Sequence, residues 1–133
     1  MAQLFHAVDA VVVKVPDLEA GLAFYRDALG HAVVWRSART VALRMAESDT
    51  ELVLSLDLGP ETDLLVASVD AAVAAVEAAG GSVVAGPDDI PVGRVAVVRD
   101  PFGNVLTLVD ISTGRYATDE TGRVTGVIAP EPG

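Results

Sequence analysis

Few side chains in this 133-residue chain can do more than surface acid–base work. There is no cysteine, which excludes a disulfide scaffold, a thiolate zinc site, an iron–sulfur cluster and a cysteine nucleophile. The imidazoles are His6 and His31 alone, so good transition-metal ligands are scarce. No serine stands in a nucleophile-elbow context, and no His/Asp couple is visible. Two residues stand out. Glu51 opens the apolar run Glu51-Leu52-Val53-Leu54, and a carboxylate set in such a wall can pair with a ligand cation or act as a base with a raised pKa. It can equally cap the strand start or face solvent if the register slips by one residue. Trp35, the sole tryptophan, can stack on an aromatic or cationic ligand, or serve core packing or a subunit contact.

Charge narrows the partners. Nineteen acidic against nine basic residues give a formal charge of -10, a field that repels phosphate backbones and anionic lipid. Nucleic acid and membrane partners are not expected. The same field keeps a chain with 51% hydrophobic residues in solution and attracts small cations at long range. No apolar stretch approaches the roughly 18 residues of a membrane span, and Met1-Ala2-Gln3-Leu4-Phe5-His6 lacks a secretory pattern. A cytoplasmic protein with one domain over 1–133 is expected.

The elements that must position these groups follow an internal repeat. Val11-Val12-Val13-Lys14-Val15 reads as a strand ended by Pro16. Asp17 is a candidate N-cap, Leu18, Leu22, Tyr25 and Leu29 recur at helical spacing, and Gly30 closes the helix. Strand-like runs follow at Ala32 to Trp35, Val41 to Met45 and Glu51 to Asp57. The second half repeats the order: a strand over Leu64 to Val69, Asp70 as cap, and a helix through Val73 and Val76 to Gly80-Gly81. Strands at Ser82 to Ala85, Arg94 to Val98 and Val105 to Val109 complete it, the last two joined by the hairpin loop Asp100-Pro101-Phe102-Gly103-Asn104. The fold class is α+β, two βαβββ modules (7–58 and 63–111) joined at Gly59-Pro60-Glu61-Thr62. The tail 112–133 lies outside the repeat and carries no assigned chemistry. Arg123 to Ile128 is a candidate edge strand, and Ala129 to Gly133 is expected to be loose.

The segment Val15-Pro16-Asp17-Leu18-Glu19-Ala20-Gly21-Leu22-Ala23-Phe24-Tyr25-Arg26-Asp27-Ala28-Leu29-Gly30, with Asp100-Pro101-Phe102-Gly103-Asn104 downstream, resembles the vicinal oxygen chelate superfamily. Glyoxalase I, extradiol dioxygenases, epimerases, fosfomycin-modifying enzymes and bleomycin-resistance proteins belong to that group. The resemblance spans Val8 to Asp110 and implies paired modules whose mixed sheet curls into a cup, with helices outside and ligand inside. One such fold serves catalysts and pure binders alike. The metal-ligand places of the enzymatic members fall on Ala10, Glu51, Leu64 and Thr107, so one donor remains of four. Open catalytic sites keep about three protein donors. His6 lies about 13 Å along the chain from Ala10 at 3.3 Å per residue, Asp9 takes the opposite face, and His31 follows the helix-closing glycine.

With no metal and no cofactor expected, strand parity gives an apolar lining with a few polar points, as in small-molecule pockets. The candidate ligand-binding residues are Val12, Trp35, Glu51, Val53, Leu64, Val66 and Thr107. Phe24 and Tyr25 are expected to pack, Arg94 and Arg99 to lie on the surface, and Phe102 either to close a ligand mouth or to pack between subunits. The expected function is that of a homodimeric, bleomycin-resistance-like protein without catalytic residues, sequestering a hydrophobic or cationic small molecule. The alternative is a glyoxalase- or dioxygenase-like lyase or isomerase that uses Glu51 with a metal or base partner the sequence does not reveal.

Overall fold

β-Branched residues fill β1 (Ala7–Lys14), and the chain turns where Pro16 removes a ladder donor. The computed structural model describes residues 2–130. Asp17 Oδ1 accepts the Ala20 N–H at 2.7 Å and caps α1 (Leu18–Leu22), satisfying one of the orphan donors of the first turn. The helix continues as a π-helical segment (Ala23–Ala28). There the Leu29 N–H reaches back five residues to the Phe24 carbonyl, so the turn holds an extra residue. This corrects the expected apolar stripe: Leu18, Leu22 and Tyr25 stay on the core side, whereas Leu29 is carried round to the surface and is 53% exposed. Gly30 closes the segment at φ +86°, a conformation that side-chain-bearing residues rarely adopt.

β2 (Val33–Arg36), β3 (Thr40–Arg44) and β4 (Glu51–Ser55) follow, and this first unit comprises Asp9–Thr62 with Tyr116–Gly126. Its strand order is β2-β3-β4-β1, with β1 parallel to β4 and the other pairs antiparallel. Alternation then sorts the side chains. Val41, Leu43, Leu52 and Leu54 turn toward Leu18 and Leu22 in one core cluster, while Ala10, Val12, Ala42 and Val53 form the opposite face. Leu22 and Leu54 are fully buried, each worth about 2 kcal/mol of removed apolar surface. The helix approaches closely enough that a Cβ on Gly21 would stand 3.0 Å from Leu54 Cδ1.

The second unit comprises the residues up to Val8, Asp63–Arg115 and those from Val127. It contains α2 (Val69–Ala78), β6 (Ser82–Ile90), β7 (Gly93–Arg99) and β8 (Val105–Asp110), and β5 (Glu61–Leu65) leads into it. The strand order is β5-β8-β7-β6, with β5 and β8 parallel. Three boundaries differ from expectation. β5 begins at Glu61, so Glu61-Thr62 is strand and not joint. The cap of α2 is Ser68, whose side chain accepts the Ala71 N–H, because its extended backbone aims the hydroxyl at the helix start; Asp70 lies one residue inside. β6 runs on past Ala85 to Ile90, with register shifts that absorb Gly86-Pro87. The hairpin loop between β7 and β8 is as expected, with Asp100 Oδ1 accepting the Phe102 and Asn104 N–H groups.

In the tail, β10 (Val124–Ile128) realises the expected strand, and β9 (Arg115–Thr118) is a partner the sequence reading missed. Asp119 shapes their turn by accepting from Thr121 and Arg123. The expected loose end falls partly on 131–133, which lie outside the described residues. Among the described residues no helix is long and apolar enough to cross a membrane.

Asp110, only 3% exposed, ties α2 to the sheet of its unit. Its Oδ2 accepts the Val69 N–H at 2.8 Å, and its Oδ1 accepts from the Arg94 and Ser112 N–H groups and from the Ser112 hydroxyl. Burial pushes this carboxyl up, but the four donors outweigh it and hold it below the usual aspartate range. Asp110→Ala should therefore cost about 3 kcal/mol in urea unfolding, since buried donors lose a charged acceptor. In the parent protein this contribution should be full above the unfolded aspartate pKa of about 4 and be lost as pH falls through the lower folded value, whereas the variant should show a shallower acid dependence.

Candidate functional site

The face of the first unit opposite α1 is where the chemically capable residues meet. Ala10, Val12, Ala42 and Val53 are all under 9% exposed and form an apolar floor. Trp35 packs on it through an irregularity in β2. Val33 pairs with Leu43 on the helix side, and plain alternation would send Trp35 to the same side. The register shifts between Val33 and Trp35, so Trp35 instead pairs with Ala42. This one-residue shift re-aims the indole onto the floor.

Glu51 stands opposite Ala10 in the parallel ladder and opposite Arg44 in the antiparallel one. Its carboxylate accepts the Trp35 Nε1–H at 3.0 Å, a charge-assisted bond that fixes both side chains. Tyr116, delivered by β9, lays its ring against Trp35 with centroids 4.7 Å apart and planes tilted by 47°. Burial, and then the negative charge of Glu51, push the Tyr116 phenol above its ordinary pKa. The hairpin is anchored to β2 by the Arg36 N–H donating to the Gly122 carbonyl at 2.8 Å and by a bridge between Arg36 and Arg123.

Of the expected binding residues, Val12, Trp35, Glu51 and Val53 come together here. Ser55 and Asp57, further along the expected lining, are used locally: the Ser55 hydroxyl accepts from Asp57 and Leu58, and Asp57 holds Arg39 in a bidentate pair. Leu64 and Val66 are a correction. Both pack with α2, in the cluster of Val69, Ala72 and Leu108, because β5 starts earlier than expected and its parity is set by Asp63 pairing with Thr107. Thr107 takes the face away from that cluster and is buried. Tyr116 is the residue that sequence reasoning missed; a lone aromatic in a polar tail gave no periodic signal.

Metal chemistry can be tested on the donors. In the first unit the places expected for metal ligands are Ala10 and Glu51, paired in the ladder, so one of the two is a donor. In the second unit Thr107 pairs with Asp63 and not with Leu64. Among the described residues no three His, Cys, Asp or Glu side chains group closely enough to hold a metal ion. This set does not fit a divalent centre of the enzymatic kind, which needs about three protein donors.

A family model described as a glyoxalase-like domain matches residues 10–109. The chain belongs to the glyoxalase-like domain family. Solved structures agree on the fold. Methylmalonyl-CoA epimerase from Mycobacterium tuberculosis is 21% identical, with 83% of this chain and 91% of that one covered and a TM-score of 0.67. The Streptomyces coelicolor methylmalonyl-CoA epimerase is 20% identical, with 81% and 95% covered and a TM-score of 0.65. Homoprotocatechuate 2,3-dioxygenase from B. fuscum is 24% identical with a TM-score of 0.60, and the match covers 83% of this chain but 33% of that longer one. All three fall in the vicinal oxygen chelate superfamily. No curated protein sequence matches the chain. In this glyoxalase-like protein the family match ends before β9, so Tyr116 lies beyond the matched segment.

The coupling between Glu51 and Tyr116 is directly measurable. In a Tyr25→Phe background, where Tyr116 is the remaining tyrosine, adding Glu51→Gln should lower the phenol pKa seen by alkaline absorbance titration, because one of its two upward influences is gone. The unfolding midpoint in urea should change little, since the glutamine oxygen can still accept from Trp35.

Proposed function

We propose that this glyoxalase-like protein captures a small organic molecule on the Glu51 face of its first unit, without a bound metal, as bleomycin-resistance proteins do. The observation that carries this reading is the apolar floor of Ala10, Val12, Ala42 and Val53 with one oriented carboxylate beside it. The carboxylate offers one polar point for orientation beside a wall of apolar side chains. The donor set is too poor for the Lewis-acid role that the superfamily's enzymes assign to their metal. A homodimer belongs to this reading, supported by the exposed apolar residues Val84, Phe102 and Val105 of the second unit.

A second reading, an isomerase or lyase, is favoured by the epimerase and dioxygenase likenesses and by the Tyr116 phenol lying within the field of Glu51. In it Glu51 takes a proton from a carbon acid and the phenol supplies one. Protein purified from metal-replete medium should contain no stoichiometric divalent ion. A thermal-shift screen of aromatic, catechol and dicarbonyl metabolites should find ligands that stabilise by about 2.7 kcal/mol at 100 times their Kd. Stoichiometric metal whose removal by chelator destabilises the fold would overturn the capture reading. Deuterium uptake from D2O into a methylmalonyl thioester, lost in Glu51→Gln, would replace it with the second.

A further inference from the structure

The C-terminal hairpin lies beyond the family match, and its section Tyr116–Gly126 belongs to the first unit. There the side chains form two layers over the apolar floor. Trp35 packs on the cluster of Ala10, Val12, Ala42 and Val53, and the Tyr116 ring packs on Trp35. All four floor residues are buried, so the chain's own rings close this face. We propose that the hairpin is a displaceable cover: a ligand reaches Trp35 and the floor beneath it only after Tyr116–Gly126 swings off. The inference rests on the capture reading and adds a gate to it.

The hairpin is built as a body that can detach. β9 and β10 form a two-stranded sheet of their own. Among the described residues from 115 to 130 none is buried, and none joins a core cluster, so detachment forfeits little apolar burial. The turn is held from within. Asp119 accepts from the Thr121 N–H and hydroxyl and from the Arg123 N–H, while its own N–H donates to the Arg123 carbonyl. These bonds travel with the hairpin and keep its shape when it leaves.

Its attachment to β2 is narrow. The Arg36 N–H donates to the Gly122 carbonyl at 2.8 Å, Arg36 and Arg123 form a bridge, and Tyr116 lies on Trp35. One backbone hydrogen bond and one ring contact are interactions that local opening breaks without unfolding the rest. An opening of this kind lowers the apparent affinity for a ligand by the fraction of molecules that are open, and loosening the cover restores it.

Gly122 allows the cover to be loosened at the turn. Its φ is +86°, and a Cβ there would stand 3.2 Å from Val33 Cγ1, so Gly122→Val strains the turn and pushes the tip from β2. Tyr116→Ala removes the ring contact instead. Both variants, checked for folding by far-UV circular dichroism and urea midpoint, should raise acrylamide quenching of Trp35, the only tryptophan, by about twofold or more. The probe is Prodan, an uncharged dye that accepts energy from tryptophan, so transfer from Trp35 counts only dye seated near it. Both variants should bind Prodan about fivefold or more tighter than the parent. In the parent, hydrogen exchange at the Arg36 N–H should run well ahead of the amides of β4, which lies between β3 and β1. Exchange of Arg36 together with β4, or equal Prodan affinity in the parent and folded Gly122→Val, would overturn the cover and leave capture standing. Absence of transfer to Prodan in the parent and both variants would overturn the cover too, and capture with it if the thermal-shift screen also finds no ligand.

Discussion

One register shift in β2 governs the chemistry of this protein. If the strand kept its alternation after Val33, Trp35 would enter the core beneath α1, where Val41, Leu43, Leu52 and Leu54 already fill the space. An indole there would overpack a closed cluster. The shift sends it to the other face, and three consequences follow from that single displacement: the indole meets Ala42, its N–H finds Glu51, and its ring becomes the surface on which Tyr116 rests. Bulges near functional sites commonly re-aim a side chain at the cost of one ladder position.

The strand and helix order was legible because it is written in local signals. β-Branched runs, the Asp17 cap and Gly30 name their elements without reference to the rest of the chain, and the Ala10, Val12, Glu51, Val53 face follows from period-2 alternation in two strands. The misreadings have three origins. Whether β5 starts at Glu61 or Leu64 depends on which residue pairs with Thr107, a fact about a strand more than forty positions away, and a slip in that start reverses the faces of Leu64 and Val66. The π-helical segment is likewise invisible in the spacing of Leu18, Leu22, Tyr25 and Leu29, which suits an α-helix as well. Tyr116 was hidden for a third reason: its role is set by where a polar tail docks, and docking by two backbone groups leaves no mark on side-chain pattern.

The family match and the donor set pull in different directions, and the difference is informative. The fold likeness to epimerases and a dioxygenase is broad at about one residue in five identical. The places expected for metal ligands instead hold Ala10 and Glu51 in the first unit and Leu64 and Thr107 in the second, where Leu64 packs with α2. A scaffold can keep its architecture while the side chains at its centre change, because the core clusters on the helix sides are independent of the residues on the other face.

Asp110 has a bearing on how the second unit comes together in time. The N–H it accepts at the start of α2 belongs to Val69, forty-one residues earlier. A ten-residue helix of this kind is marginal alone in water, so its first turn gains this acceptor only after β8 has found its place. Local helix formation and long-range strand docking are thereby made mutually dependent, which trades speed of assembly for all-or-none cooperativity.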